Sequence, residues 1–262
     1  MKAYHIGLEE ALIGRYVLLP GDPGRVPVIA SFLKDSQKVA SNREYLTYTG
    51  KLEEILVTVT STGIGCPSAA ICIEELSRLG AKVFIRVGTA GALQSWIKPG
   101  DIVISTAAIR EEGTTRQYVP LSYPAIADRE VTNALVEAAE RLNIPFHIGI
   151  THCKDAFYSE IPGCVPLSEK NKTLWNVWQK SGVLATSMEG AALFIIGSLR
   201  NLYVGEVLAI VGNVYEHKEK ELIQKEIIKL ATFKAIKIAL EAIKILAGKE
   251  GKLFYFTPGE KQ

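Results

Sequence analysis

The sequence predicts a protein of the α/β class, with one domain built on a central mixed sheet. Short apolar runs typical of strands alternate with segments of helical periodicity, which is the pattern of helices packed on a sheet. The length of 262 residues suits one large domain, and 48% hydrophobic against 22% charged residues suits a substantial core. No internal repeat, low-complexity segment or Gly/Ser linker divides the sequence, so we assign residues 1–262 to a single domain.

In the N-terminal part, apolar or alternating runs indicate strands, and glycine or proline indicates where elements end. Pro67 fits the first position of a helix, and Gly80 fits its C-terminal stop. Alternation of Val57 and Val59 with threonines predicts one arm of a β-hairpin. The predicted elements are a strand at 16–20, a turn at 21–25, a helix at 26–33, a hairpin of 46–50 and 54–61 turning at Gly50-Lys51, a helix over 67–80 and a strand at 83–85.

The second part continues the alternation. Asp128 is predicted to cap a helix that runs to Leu142. Residues 110–124 form a long loop, and loops of this length in compact domains are often functional. The other predicted elements are strands at 102–109, 146–151, 183–189 and 206–211, helices at 168–182 and 190–200, a last helix at 220–246 with a break near Thr232, and a tail over 249–262 whose apolar residues 253–256 pack on the body or a neighbour.

Composition and charge exclude several classes of protein. Lys and Arg number 30 and Asp and Glu 28, so the net charge is 30 − 28 = +2, and the basic residues form no long block. Nucleic acid is therefore not an expected partner. No run reaches the roughly 18 apolar residues of a membrane span. Residues 1–10 lack the apolar core of a signal peptide, so we expect a cytoplasmic protein with no membrane partner.

The four cysteines are expected to be free thiols. They are dispersed along the chain and include no C-x-x-C pair, which disfavours a zinc site or a disulfide framework. Free thiols suit a reducing cytoplasm.

The stretch 84–92 carries the first functional signal. It places Arg86 at the end of a buried strand, and a buried charge is costly unless something pairs with it. Glycines directly afterwards let a backbone pass close to a ligand. A small oxyanion is the simplest partner for Arg86, Thr89 and the loop amides, so we predict a phosphate site. Gly21 and Arg25, at a strand end and a helix start, offer a second anion-binding element.

Common nucleotide-binding and hydrolase motifs are absent, and the polar clusters at strand ends instead resemble a known family. The sequence has no G-x-x-x-x-G-K-[ST], G-x-G-x-x-G, H-E-x-x-H or G-x-S-x-G motif. The clusters occur in the order seen in the nucleoside phosphorylases of the uridine phosphorylase and hexameric purine nucleoside phosphorylase group. They are Gly21-Asp22-Pro23-Gly24-Arg25, Asn42-Arg43-Glu44, Thr62-Gly63-Ile64-Gly65, Arg86-Val87-Gly88-Thr89-Ala90-Gly91, Arg110-Glu111-Glu112-Gly113-Thr114, Tyr123-Pro124-Ala125-Ile126-Ala127-Asp128 and Ser187-Met188-Glu189-Gly190-Ala191-Ala192.

The resemblance covers nearly all of the chain up to Asn213 and implies a fold and a reaction. The implied fold is a three-layer α/β/α arrangement around a central mixed sheet. The implied reaction is phosphorolysis of a nucleoside, uridine and phosphate giving uracil and ribose 1-phosphate, which is a pentosyltransferase reaction of nucleoside salvage. Phosphate is already an anionic nucleophile, so such an enzyme needs no nucleophilic side chain, and arginines match a phosphate edge.

The resemblance also implies roles for matching residues. Arg86 and Glu189 are the implied catalytic residues, because a carboxylate on the ribose hydroxyls favours the positive charge that develops on the sugar. The implied phosphate ligands are Gly21, Arg25, Arg86, Gly88 and Thr89, with Arg43 from a neighbouring subunit. The implied nucleoside ligands are His5, reaching a neighbour's 5′-hydroxyl, together with Phe157, Ser187, Met188 and Glu189.

An oligomer and a cation follow from the same resemblance. The family implies a homo-oligomer, a hexamer built from dimers. Glu44, Ile64 and Ser68 match positions that surround a monovalent cation such as K⁺ at a dimer interface. No other cofactor is expected.

The base-binding part departs from the family pattern. Uridine phosphorylases usually carry a Gln and Arg pair after the Phe-Tyr segment, and residues 157–163 contain neither. Purine-specific relatives usually carry an Asp where Asn213 stands, and Ser187 replaces a frequent glutamate. Glu160, Asn213 and His217 are the candidates for contact with the base. The alternatives are a purine nucleoside or methylthioadenosine phosphorylase, a hydrolytic nucleosidase, which would not need three phosphate arginines, and a non-catalytic nucleoside-binding protein.

Ordinary structural roles remain open for several candidates. Arg43 would serve equally as the partner of a surface acid, and Met188 as core packing. A histidine near the terminus, such as His5, is commonly solvated. His147 and His152, on a predicted strand, are expected to be structural.

Overall fold

The computed structural model describes residues 2–161, 163–215 and 221–249, and its strands form one mixed sheet flanked by helices. The α/β class with a central mixed sheet is thus confirmed. The strands are β1 (Tyr16–Pro20), β2 (Lys34–Asn42), β3 (Tyr45–Leu52), β4 (Ile55–Thr60), β5 (Val83–Ala92), β6 (Ile102–Glu111), β7 (Ala125–Ile126), β8 (His147–Lys154), β9 (Ala185–Ser187) and β10 (Tyr203–Asn213). The helices are α1 (Arg25–Ala30), α2 (Cys66–Arg78), α3 (Arg129–Arg141), α4 (Ser168–Lys180), α5 (Gly190–Leu199) and α6 (Glu221–Gly248).

Three layers arise because successive residues of the central strands point to opposite faces of the sheet. β1 lies parallel between β4 and β5, so these strands form the centre of the first half of the sheet. Leu18 and Ile85 pack into a core shared with α1, α3 and α6. Leu19 and Phe84 pack on the other face, against α2 and α5.

The second half of the sheet closes on itself. β5 pairs with β10, β10 with β6, β6 with β8 and β8 with β9. β9 then pairs back onto the end of β5, where Thr186 lies opposite Gly91. This closure, which the sequence did not predict, brings the ends of β5, β8 and β9 together.

The hairpin of β3 and β4 turns later than predicted. Leu52 pairs with Ile55, so the turn is at Glu53 and Glu54 rather than at Gly50-Lys51, and Glu53 has a φ of 56°. Gly50 lies within β3, where an added Cβ would come within 2.8 Å of Ser36 on β2. This glycine therefore allows the close approach of β2 and does not form the turn.

Other element boundaries differ from the prediction. The helix predicted over 26–33 ends at Ala30, and β2 follows it. The strand predicted at 83–85 continues to Ala92 because β10 pairs along its length, and the strand predicted at 183–189 is reduced to β9. The last helix runs without a break at Thr232, and α6 packs against α3 and β10.

The predicted cap of α3 is confirmed, because the Asp128 side chain accepts a hydrogen bond from the Val131 N–H at 3.0 Å. Residue His217 and the apolar tail residues 253–256 lie outside the described residues. Within the described ranges, no helix is both long and apolar enough to cross a bilayer.

Candidate active site

A cavity of about 920 Å³ opens at the ends of β1, β5, β8 and β9, where the sheet closes. Its walls contain most of the residues that the sequence singled out. The predicted residues that line it are Gly21, Arg25, Arg86, Thr89, Phe157, Glu160, Ser187, Met188, Glu189, Glu44, Ile64 and Ser68.

Arg86 is buried in this cavity between two carboxylates. Its Nη1 donates to Glu206 Oε1 at 2.9 Å, and its Nη2 donates to Glu189 Oε2. Burial alone would lower the pKa of Arg86, but the charges of Glu189 and Glu206 raise it, so the guanidinium stays charged. The Nε atom of Arg86 is buried and has no hydrogen-bond partner within the described chain.

Arg25 brings a second cation to the same wall. Its Nη1 donates to the Val87 carbonyl at 3.4 Å, at the point where β1 and β5 run side by side. Burial lowers the pKa of Arg25, and the nearby charge of Arg86 lowers it further. Two partly desolvated cations facing one cavity form a suitable site for a small anion, which would relieve their mutual repulsion.

Glu189 is held by the start of α2 as well as by Arg86. The Gly65 N–H donates to Glu189 Oε1 at 2.7 Å. Gly65 has a φ of +93°, which a side chain would strain, and this turns its N–H towards the carboxylate. The N-terminal end of a helix also favours a negative charge. The sugar-binding carboxylate predicted from the sequence is therefore fixed in place.

Gly88 does not itself line the cavity. It contributes to the site by having no side chain. An added Cβ at Gly88 would collide with the guanidinium of Arg86 and lie 2.7 Å from Leu208 Cδ2. The glycine thus leaves the space in which Arg86 lies.

Three other predicted residues lie outside the cavity of their own chain. Arg43 is exposed at the turn between β2 and β3, with a φ of 53°. His5 Nδ1 forms a hydrogen bond with Glu75 Oε1 at 2.6 Å, and the His5 side chain is about one-third exposed. Asn213 donates to the Gln94 carbonyl and accepts from the Tyr215 N–H, so its amide is occupied by backbone groups.

The two histidines expected to be structural are indeed bonded to neighbouring side chains. His147 Nε2 lies 3.0 Å from Asp101 Oδ2. His152 is buried, with its ring nitrogens bonded to Thr186 Oγ1 at 3.0 Å and Glu111 Oε2 at 2.5 Å. Neither lines the cavity.

Sequence reasoning missed two charged residues of the site. Glu206 lies in the apolar strand β10 and is wholly buried, with Ser105 Oγ donating to its Oε2 at 2.6 Å. Lys154, at the end of β8, is also buried and lines the cavity. The available signal was a charge within or at the end of an apolar run, the same signal that identified Arg86.

Two groups of side chains offer donors to a metal. Ser68 Oγ donates to Glu44 Oε1 at 2.6 Å, and this bond lowers the pKa of Glu44, so a carboxylate and a hydroxyl oxygen lie together beside the exposed Ile64. Cys66, Glu112 and Asp155 also lie close to one another. The two carboxylates of this second group already accept backbone N–H groups. All four cysteines are free thiols.

The fold and the cavity together define a class of protein. The chain belongs to the phosphorylase superfamily, whose family model matches residues 15–244. It is 46% identical over 245 residues to a uridine phosphorylase of Treponema pallidum, covering 93% of each chain. It is 38% identical over 251 residues to a guanosine phosphorylase of Halorubrum lacusprofundi, covering 94% of this chain and 99% of the relative. The crystal structure of uridine phosphorylase from Vibrio fischeri superposes with a TM-score of 0.85 at 32% identity, covering 93% of this chain and 98% of that one.

Proposed function

We propose that this protein catalyses the phosphorolysis of uridine to uracil and ribose 1-phosphate. The observation that carries the proposal is the buried contact of Arg86 with Glu189, beside Arg25, in one cavity. The contact unites a phosphate-binding cation with a sugar-binding carboxylate. The uridine phosphorylase relatives over most of the chain support the same reaction.

The residues of the cavity suit each part of the reaction. Phosphate binds between Arg25 and Arg86, near the turn at Gly21 and the hydroxyl of Thr89. A phosphate oxygen forms a bond to C1′ as the bond from C1′ to the base nitrogen breaks, and the electron pair of that bond leaves with the base. The base then takes a proton from water. Glu189, which the Gly65 N–H also holds in place, accepts hydrogen bonds from the ribose hydroxyls and stabilises the positive charge on the sugar.

The test is a panel of uridine, inosine, guanosine, adenosine and methylthioadenosine, each assayed with and without phosphate. We expect uridine cleavage that requires phosphate and yields ribose 1-phosphate. Equal cleavage without phosphate would indicate a hydrolase and overturn the proposal. Binding without cleavage of any nucleoside would favour a non-catalytic nucleoside-binding protein.

A variant of Arg86 tests the residue on which the proposal rests. Arg86→Ala should lose phosphorolysis by at least about 100-fold, because it removes one of the few groups that stabilise the charge on phosphate. Arg116→Ala, an exposed arginine on the loop before β7, is the matched control and should retain activity. Equal activity of the Arg86 variant and the wild type would remove the basis of the assignment.

Guanosine is the second candidate substrate. The relative from Halorubrum lacusprofundi supports it, and residues 157–163 contain neither the Gln nor the Arg that is usual in uridine phosphorylases. The ratio of guanosine to uridine cleavage in the same panel decides between the two.

We also propose that the active enzyme is a hexamer built from dimers. Arg43 and His5 do not line the cavity of their own chain, and Arg43 is exposed while His5 is about one-third exposed, which supports a role for them at a neighbouring copy. Sedimentation should give a mass six times that of one chain. A fully active monomer would contradict this, as would an Arg43→Ala variant with an unchanged KM for phosphate.

A monovalent cation at this interface is part of the same proposal. Glu44 Oε1 and Ser68 Oγ offer oxygen ligands, and a second copy would double their number. Replacing K⁺ by a bulky organic cation should lower the thermal stability of the oligomer, and Ser68→Ala should remove that dependence.

We further propose that the reaction takes place in the cytoplasm and serves nucleoside salvage.

A further inference from the structure

The cavity holds a buried ion pair between Lys154 and Glu160 that has no part in the mechanism proposed above. Lys154 Nζ lies 2.7 Å from Glu160 Oε2 and donates to Thr186 Oγ1 at 3.1 Å. Its side chain is only 7% exposed, and that of Glu160 is 14% exposed. Both residues line the cavity that also contains Arg86.

The surroundings of this pair suit a flat, partly polar ring. The Lys154 ammonium lies 5.3 Å from the centre of the Trp175 ring and 5.9 Å from that of Phe157. Phe157 lines the cavity and is half exposed to it. An exposed aromatic face beside a buried ammonium and carboxylate is a suitable site for a heterocycle with both a donor and an acceptor.

The pair lies in a different part of the cavity from Arg86. Thr186, which binds Lys154, is opposite Gly91 on β5, and Gly91 comes later on that strand than Arg86. Lys154 therefore lies further along the cavity than Arg86, and Glu189 is on the Arg86 side, where it contacts that guanidinium. A nucleoside with its sugar at Glu189 places its base against Lys154 and Glu160.

We propose that Lys154 and Glu160 recognise the lactam edge of the base, so that the enzyme selects 4-oxopyrimidine and 6-oxopurine nucleosides. The Lys154 ammonium has only donors and binds the exocyclic carbonyl oxygen. The Glu160 carboxylate has only acceptors and binds the adjacent ring N–H. This inference rests on the proposed function and assigns the base-reading role for which the usual Gln and Arg are absent.

The same geometry rejects amino bases. Cytosine and adenine carry an exocyclic amine where uracil and guanine carry a carbonyl, and a ring lone pair where these carry an N–H. The amine would face the ammonium and the lone pair would face the carboxylate, leaving both buried charges without their hydrogen bonds. One pair of residues thus suits both uracil and guanine, which have little else in common in shape.

Lys154 also has a chemical role in this arrangement. When the bond between C1′ and the base nitrogen breaks, its electron pair enters the ring and spreads to the carbonyl oxygens. An ammonium placed on such an oxygen stabilises the departing anion in a site with little water. The base later takes its proton from water, so Lys154 keeps its own.

The first experiment compares oxo and amino nucleosides at saturating phosphate. Wild-type protein should prefer uridine to cytidine, and guanosine to adenosine, by at least about 100-fold in kcat/KM. Lys154→Met should lower kcat/KM for uridine by about 100-fold, with little effect on cytidine and none on the KM for phosphate. A ratio of uridine to cytidine that is the same in Lys154→Met and wild type would overturn the proposal.

The second experiment separates stabilisation of the leaving base from a purely structural role. The base of 5-fluorouridine departs more readily as an anion, so its cleavage should suffer less than that of uridine in Lys154→Met. Equal losses for the two nucleosides would contradict the chemical role of Lys154.

Two further variants keep the test decisive if Lys154→Met does not fold. Lys154→Arg retains the charge and should retain the preference for uridine. Lys154→Met combined with Glu160→Leu leaves no unpaired buried charge and should lose the preference.

Calorimetric binding of uridine and cytidine without phosphate measures the same preference without turnover, so a protein that fails as a phosphorylase still tests the pair. Equal affinities for the two nucleosides would exclude it.

Discussion

The Arg86 guanidinium forms a buried ion pair with the Glu206 carboxylate, in which Nη1 lies 2.9 Å from Oε1. Burial raises the pKa of Glu206, and the charge of Arg86 opposes this rise. The two residues face each other across neighbouring strands, because Glu206 is opposite Arg86 in the pairing of β10 with β5. Glu206 is thus a positioning residue for the central cation of the site.

Glu206→Gln should destabilise the protein and weaken phosphate binding together. The substitution removes one of the two carboxylates that compensate the buried charge of Arg86, for which we expect a loss of about 3 kcal/mol in the free energy of unfolding. The KM for phosphate should rise because Arg86 loses its support. Urea denaturation and steady-state kinetics measure the two effects. Glu130→Gln, in the exposed pair with Arg129, is the control and should cost less than about 1 kcal/mol.

Gly88→Ala should impair the use of phosphate as a substrate more than it destabilises the fold. Its Cβ would occupy the space of the Arg86 guanidinium and displace it. A misplacement of about 1 Å costs about 100-fold in activity, so kcat/KM for phosphate should fall by that order. Gly212→Ala, on the adjacent strand β10 with open space for a Cβ, should show wild-type kinetics. Similar kinetics of the two variants would show that Arg86 does not need the space above Gly88.

Glu75 should give the protein a measurable dependence of stability on acid pH. It accepts the N–H groups of Ile6 and His5, each at 2.9 Å, and although burial alone would raise its pKa, these bonds bring it below the ordinary value of 4.5. The carboxylate therefore stabilises the folded state fully above pH 4.5, and this contribution is lost as pH falls through the lower folded-state pKa.

Glu75→Gln should accordingly be less stable than wild type at neutral pH, and the difference should shrink as pH falls below 4.5. Urea denaturation at a series of pH values between neutral and acid measures it. A difference that stays constant over this range would show that the Glu75 carboxylate is not responsible.

Asp128→Ala should lower the free energy of unfolding by about 1 kcal/mol, through loss of the cap of α3. Asp128→Asn keeps an oxygen that accepts the Val131 N–H and should retain most of the stability. Denaturant midpoints of the three proteins test this. Equal midpoints for the Ala variant and the wild type would mean that the cap contributes nothing measurable.

The sequence predicted the elements whose residue pattern is set by burial. β1, β5 and β10 are apolar runs, and α2 and α3 carry clear start signals at Pro67 and Asp128. It failed for β2, whose residues are mainly polar and exposed and whose strand character comes only from pairing with β3. Closure of the sheet was missed for a related reason, since pairing partners distant in sequence leave no local pattern.

The position of Arg86 in the cavity was predicted because a lone charge after a buried strand is costly unless it is paired. The cost of an unpaired buried charge applies to Glu206 and Lys154 as well. The partner of Glu206 is Arg86, which is far away in the sequence, and the partner of Lys154 is Glu160, in the segment that follows β8. Each charge could be recognised from the sequence, whereas the pairing required the fold.

The polar character of β2 has a further consequence. Within the described chain, the strands from β5 through β10, β6, β8 and β9 close on themselves, and β2, which pairs with β3 on one side only, is an edge strand of the sheet. Lysines and an aspartate along this edge, and two register irregularities against β3, make it a poor template for a strand of another molecule. The polar residues of β2 therefore disfavour strand pairing between molecules, which is one route to aggregation.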